Sequence, residues 1–197
     1  MEHGLWPNES LVEIRQVGPA FRASQAESQT ALSSVGFHHE PNSPAQRRWA
    51  KRAALEQGIA SSRGGRTTKV HIIADEAGRP LHCRVTDGAQ HDIRAGTELI
   101  AVADSVPLSA DKAYDADAFR AALTARGAEP VIPPKRNRSS PIAYDRTLYK
   151  QRNVVERCFS WMKHQRRFAT RYDKLQRNYS AFVALSCGLL WLRHPPS

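Results

Sequence analysis

The sequence has no long hydrophobic run. Its longest apolar stretch, Ala181 to Leu192, is interrupted by Ser186 and Gly188 and falls short of the roughly 20 residues a bilayer demands. It reads as a buried C-terminal helix. The first residues lack a basic leader followed by an apolar core, so no secretory signal is expected. Cysteine is scarce: Cys83, Cys158 and Cys187 are odd in number and far apart. That excludes a disulfide framework and a Cys-x-x-Cys zinc site, and implies reduced, mostly buried thiols. No internal repeat is present. These absences point to a cytoplasmic protein with no membrane partner.

Acid is also short where base is plentiful. From Lys135 to Arg177 there are thirteen Lys/Arg against only Asp145, Glu156 and Asp173, a surplus that equals the whole chain's net charge of +10. The pI near 10.0 and this concentration of cations indicate a polyanionic partner, of which nucleic acid is the commonest. Trp161, Phe168, Tyr172 and Tyr179 lie among or just after the cations. Such a stretch can grip phosphate while its aromatics pack or stack; a solvated helix face with its aromatics turned inward is the plainer alternative.

Residues 1–56 carry no sustained period of 2 or 3.6 and read as a degenerate, weakly ordered segment, with a short helix expected over Ser43–Gln57. Residues 57–197 read as one domain. Thr67–Ala74 and Leu81–Thr86 are expected as a β-hairpin around the turn residues Asp75 to Pro80. A helix is expected from Asp92, as its N-cap, to about Val102. A short strand, Pro107–Ala110, ends at Asp111. Asp115 is expected to cap a helix that Gly127 ends, and Pro130–Pro133 is a further strand. A basic loop, Pro134–Pro141, precedes a long helix from Tyr144 or Asp145 to about Arg167, and a last helix covers Asn178–Leu192. This order gives an α/β layout with a mixed sheet.

Two features carry chemistry. Tyr149, Arg152, Glu156 and Lys163 have the spacing Y-x2-R-x3-E-x6-K, which on a helix brings all four to nearly one face. A carboxylate among so many cations is biased to stay ionised, as a metal ligand must be; an ordinary i, i+4 Arg152–Glu156 surface pair is the competing reading. Asp111 stands at the C-terminal end of a strand, where α/β sheets commonly form sites; a turn or cap role is its alternative. If both carboxylates reach one edge, they could share divalent cations that orient a phosphodiester. His71 and His82 read as ordinary sheet residues, and Asp75 as a hairpin residue.

Several ordered segments together resemble insertion-sequence transposases of the DDE type, closest to insertion-sequence family 5. They are Ser62-Arg63-Gly64-Gly65-Arg66-Thr67-Thr68-Lys69-Val70-His71, Ala110-Asp111-Lys112-Ala113-Tyr114-Asp115, Val131-Ile132-Pro133-Pro134-Lys135, the Y-x2-R-x3-E-x6-K helix, and Thr170-Arg171-Tyr172-Asp173-Lys174-Leu175. The resemblance runs from about Gln57 to Leu192. It implies an RNase H-like core, a mixed sheet flanked by helices, in which Asp, Asp and Glu hold two Mg²⁺ ions, with Mn²⁺ able to substitute. Asp111 matches the second Asp and Glu156 the Glu; Tyr149, Arg152 and Lys163 match residues that position DNA. Arg63, Lys69, Lys135, Arg136, Arg138, Arg166, Arg167 and Arg171 are the candidate DNA contacts. The implied reaction is strand cleavage at transposon ends and attack of the freed 3′-hydroxyl on target DNA, by a homo-oligomer bound to duplex DNA and associated with the nucleoid. The chain departs from the pattern at the first Asp. The expected neighbourhood, about Val35 to Arg47, holds no Asp, and its one carboxylate, Glu40, adjoins Pro41, which disfavours a central strand. A truncated or frameshifted copy, or a non-catalytic DNA-binding remnant, is the expectation that follows.

Overall fold

The computed structural model describes residues 11–12, 30–38, 57–62, 65–100, 106–140 and 142–193. Strands β1 (Leu11–Val12), β2 (Thr30–His38), β3 (Ala60–Ser62), β4 (Gly65–Asp75) and β5 (Pro80–Asp87) come first. They are followed by α1 (Asp92–Leu99), β6 (Leu108–Ala110), a 3-10 turn (Lys112–Tyr114), α2 (Asp117–Ala125) and β7 (Pro130–Val131). Helices α3 (Arg146–Lys150), α4 (Asn153–Lys163), α5 (Arg166–Thr170) and α6 (Gln176–Arg193) complete the chain. The sheet order is β1-β5-β4-β2-β6-β7, with β3 paired to β4. The β5, β4 and β2 strands are antiparallel neighbours, whereas β6 and β7 continue the sheet parallel to β2. This is the mixed sheet of the RNase H-like class, with helices on both faces.

The hairpin forms as its alternation dictates, because both faces of β4 are covered. Val70, Ile72 and Ala74 enter a core with Val155, Cys158, Phe159 and Met162 of α4, Phe168 of α5, and Tyr179, Val183 and Cys187 of α6. Ile73 points the other way, into a core with Leu99, Tyr114, Phe119 and Leu123 around α1 and α2. The hairpin turn closes on Gly78, whose φ of 84° suits glycine. Asp75 ends β4 where the hairpin turn begins, buried and accepting from Arg79 N at 2.8 Å and Arg79 Nε at 2.6 Å. Helix α6 lies along β5, where Gln176 donates to Val85 O and Trp191 to Pro80 O, each at 2.7 Å. No helix among the described residues is long and apolar enough to cross a membrane.

Three expectations need correction. The central strand, β2, lies inside the 1–56 stretch that pattern passed over. Its face alternation is real, with Ala31 and Phe37 in one core and Leu32 in the other, but Ser33, Ser34 and Gly36 dilute the apolar signal. The expected helix over Ser43–Gln57 falls almost wholly outside the described residues. Asp92 is the first residue of α1 rather than its cap; His91 holds the cap position without a side-chain bond. The long helix is interrupted at Gln151-Arg152, where Val154 N and Val155 N donate to Gln151 O and Arg152 O, three residues back. That tightens one turn into 3-10 geometry and divides α3 from α4; a second break divides α4 from α5. The start of the helical run is as expected: Asp145 accepts from Thr147 N and Leu148 N. Gly127, at φ 73°, follows α2 as foreseen.

His71 is sealed in the sheet, its Nδ1 3.0 Å from Tyr114 Oη and its Nε2 2.9 Å from Thr86 Oγ1. Burial pushes its pKa down to about 4, against a partial counter-pull from Asp92. The unfolded chain takes up this proton near pH 6.5, well before the folded one, so stability is full above pH 6.5 and falls as pH drops towards 4. The loss should be on the order of 3 kcal/mol. Urea unfolding as a function of pH checks this: His71→Gln should flatten that acid limb, and an unchanged slope would refute the assignment.

Candidate active site

The site forms where β6 ends. Its three residues pair in parallel with β2 as Thr30–Leu108, Ala31–Ser109 and Leu32–Ala110. Leu32 and Ala110 both enter the core under α1 and α2. One step further along both strands, Asp111 and Ser33 therefore stand side by side and face the opposite way, towards α4. Asp111 keeps an extended backbone, and one carboxylate oxygen accepts from Lys112 N at 2.9 Å to begin the 3-10 turn. So Asp111 does serve as a cap, while its side chain stays 42% exposed.

Helix α4 packs across β2 and β4 through Val155, Cys158, Phe159 and Met162, which leaves Glu156 on its open flank. Arg152 joins the two acids. Its Nη2 donates to Glu156 Oε1 at 2.5 Å, and its Nη1 lies 3.9 Å from Asp111 Oδ2. The Arg152 side chain is only 17% exposed, whereas that of Glu156 is 53% exposed. The Tyr149 ring supports it from below, 5.5 Å from Arg152 Cζ, and Tyr144 meets Tyr149 edge-on at 5.5 Å. The 3-10 turn makes this stacking possible, because it eclipses residues three apart. Burial works against the Arg152 charge, but Tyr149, Asp111 and Glu156 outweigh it and hold its proton more firmly than usual. Helix α3 is tied to β6 by Ser109 Oγ, which donates to Leu148 O at 3.3 Å. Lys163, seven residues beyond Glu156, is exposed at the end of α4.

The candidate DNA contacts divide. Arg136 and Arg166 are exposed, and Lys135 is half-buried. Lys135 and Arg136 follow β7, which runs parallel to β6, so they rise at the same sheet edge as Asp111. Arg167 is exposed but forks onto Asp173, with Nε at 3.0 Å and Nη2 at 2.7 Å. Three others have structural duties instead. Lys69 donates to Gln90 O at 2.8 Å and pairs with Asp92 at 3.1 Å, pinning α1 to β4. Arg171 is fully buried with φ 46°; it donates to Gly58 O at 3.1 Å and to Gln57 O, and lies over the Tyr179 ring. Burial lowers its pKa to about 10, and no phosphate can reach it. Arg138 clamps Asp115 and Asp117. Arg63 lies outside the described residues.

Asp115 is a further residue whose expected role changes. It does not cap α2, whose N-cap is Ala116 with no side-chain bond. Its buried carboxylate accepts from Arg120 Nε and Arg138 Nη1, each at 2.9 Å, and from Lys135 N at 2.8 Å. Arg120 also donates to Ile132 O at 2.7 Å. Burial alone would raise the Asp115 pKa, but the Lys135 N–H bond and the two arginines prevail and lower it. This hub fastens the basic loop to the turn after Asp111. The only signal in the sequence was the density of Arg and Lys within reach of one Asp.

The chemistry available is that of two half-exposed carboxylates, from a strand end and a helix, brought together by an arginine on a cation-rich edge. The family described as "Transposase DDE domain" matches residues 33–191, and the chain belongs to it. Among similar proteins is one named as transposase for insertion sequence element IS6501 of Brucella ovis, 36% identical over 129 residues, which are 64% of this chain and 99% of that protein. Another is named as transposase for insertion sequence element IS402 of Burkholderia cepacia, 31% identical over 159 residues, 73% of this chain and 71% of that protein. No solved structure matches the chain.

Members of this family generally use a divalent metal. The donors here fall short of a site for one: Asp111 and Glu156 offer hard oxygens, but Ser33 stands beside Asp111. Among the described residues no group of three or more His, Cys, Asp or Glu could hold a metal ion.

Asp115→Ala should cost about 3 kcal/mol in denaturant unfolding, because it leaves the buried Arg120 guanidinium without its counter-charge. Asp117→Ala, at an 86% exposed partner of Arg138, should cost under ~1 kcal/mol. Equal losses for the two variants would refute the hub.

Proposed function

We propose that this chain works on transposon DNA, with the edge around Asp111, Arg152 and Glu156 as the place where the phosphodiester lies. Lys135, Arg136 and Arg166 supply sequence-independent contacts to phosphate, while Tyr149, Arg152 and Lys163 position the strand. The partner is duplex DNA, at transposon ends and at the target. The observation that carries this reading is the meeting of a strand-end Asp and a helix Glu on one guanidinium, in a chain of the transposase DDE family. Metal-dependent strand cleavage and 3′-hydroxyl transfer are the chemistry such an edge serves. Among the described residues the donor set is one carboxylate short, so the reading adopted is DNA binding with strand cleavage crippled. The convergence of Asp111 and Glu156 favours one alternative, a chain that still cuts.

Duplex DNA carrying the element's ends separates the two. The full chain should bind it with an affinity that falls steeply with salt, and Lys135→Ala or Arg136→Ala should each make the salt slope shallower by about 1 unit. With Mg²⁺ or Mn²⁺ it should nick that duplex no faster than background. Nicking that disappears in both Asp111→Asn and Glu156→Gln would establish the cutting alternative instead, and absence of salt-sensitive binding would defeat both.

A further inference from the structure

We propose that the acidic edge of this chain is closed by its own cation, and that Ser33 is the residue which makes it so. Arg152 ties Asp111 to Glu156, while Ser33 occupies the one position in the central strand from which a third carboxylate could face them. The edge is thereby matched to a guanidinium rather than to a divalent metal ion. This rests on reading the edge as the site of a DDE-family protein.

The register carries the argument. Adjacent strands lie about 4.8 Å apart, and Ser33 is the residue of β2 next in line after the Leu32–Ala110 pair. It shares the face of Ala31 and Phe37, the face covered by α4. Ser34 faces the other way, and Val35 is a step beyond the end of β6. The strand Thr30–His38 has no acid at any position, so no neighbour can substitute by a small shift. Ser33 is itself buried at 6% exposure, with its hydroxyl in a layer that water barely enters.

Charge decides the outcome. Two carboxylates facing one guanidinium leave a single net negative charge, and a neutral hydroxyl adds none. A hard divalent ion taken from water demands several anionic oxygens in exchange for its hydration shell, and here it must also displace a cation that already holds 2.5 Å and 3.9 Å contacts. An Asp at position 33 would double the net negative charge of the edge and add a donor beside Asp111. It would give the metal a set that Arg152 alone cannot neutralise.

Mn²⁺ binding to the metal-free full chain, followed by electron paramagnetic resonance and calorimetry, tests this without relying on turnover. The wild type should show no stoichiometric site, and Ser33→Asp should bind Mn²⁺ at least tenfold more tightly. That gain should vanish in Ser33→Asp combined with Glu156→Gln. Arg152→Gln, which removes the resident cation and leaves the strand untouched, should gain several-fold over the wild type; it keeps the proposal testable should Ser33→Asp fail to fold. A stoichiometric wild-type site abolished by Asp111→Asn would overturn the proposal. So would a folded Ser33→Asp, or an Arg152→Gln, that binds no better than the wild type. DNA binding measured on the same samples keeps the readings apart: its absence sinks the proposed function, whereas the metal titration alone judges Ser33.

Discussion

Three register pairs between β2 and β6 decide what can stand at this edge. Because the pairing is parallel and ends at Leu32–Ala110, the next residues, Ser33 and Asp111, turn together towards α4. A slip of one residue would send Asp111 into the core beneath α1 and replace it with a neighbouring side chain. That register is locked from both faces. Leu32 and Leu108 are fully buried on one side, and on the other Ala31 packs in the same cluster as Val155 of α4. The position of an exposed acid is thus fixed by residues that never touch solvent.

A second constraint sets the other half of the edge. The tight turn at Gln151-Arg152 divides what would be one long helix and brings Tyr149 beneath Arg152. The arginine is held on one side by an aromatic ring and on the other by two carboxylates, so it is mostly buried although its partners are not. The Asp115 hub then anchors the loop bearing Lys135 and Arg136 to the turn that follows Asp111. Cations at this edge are therefore of two kinds. Arg120, Arg138 and Arg152 are engaged with acids, and Arg136 is exposed.

Much of this was legible in the amino acids. The β4–β5 hairpin, the strand before Asp111, the glycine at the end of α2 and the joint face of Arg152 and Glu156 all follow from alternation, turn chemistry and helical spacing. The central strand was not legible, although residues 28–39 form a run free of charge and proline. Serine and glycine at Ser33, Ser34 and Gly36 weaken the very alternation that marks a strand, and β2 is fixed by its neighbours on both sides more than by its own propensity. Arg171 and Lys69 illustrate the converse limit. A basic residue in a basic stretch looks like a DNA contact until burial shows it donating to backbone carbonyls or pairing with an acid.

The account stands or falls on the approach of Asp111 to Glu156. Replacing both with cysteine and treating the folded protein with a short bifunctional thiol reagent tests that approach directly. Cys83, Cys158 and Cys187 are buried, and burial raises the thiol pKa of Cys158 to about 12, so the native thiols should stay silent. Rapid intramolecular cross-linking of the double variant, faster than that of either single variant to any native thiol, is the expected result. Two new thiols that each react with a monofunctional reagent yet never bridge would contradict it.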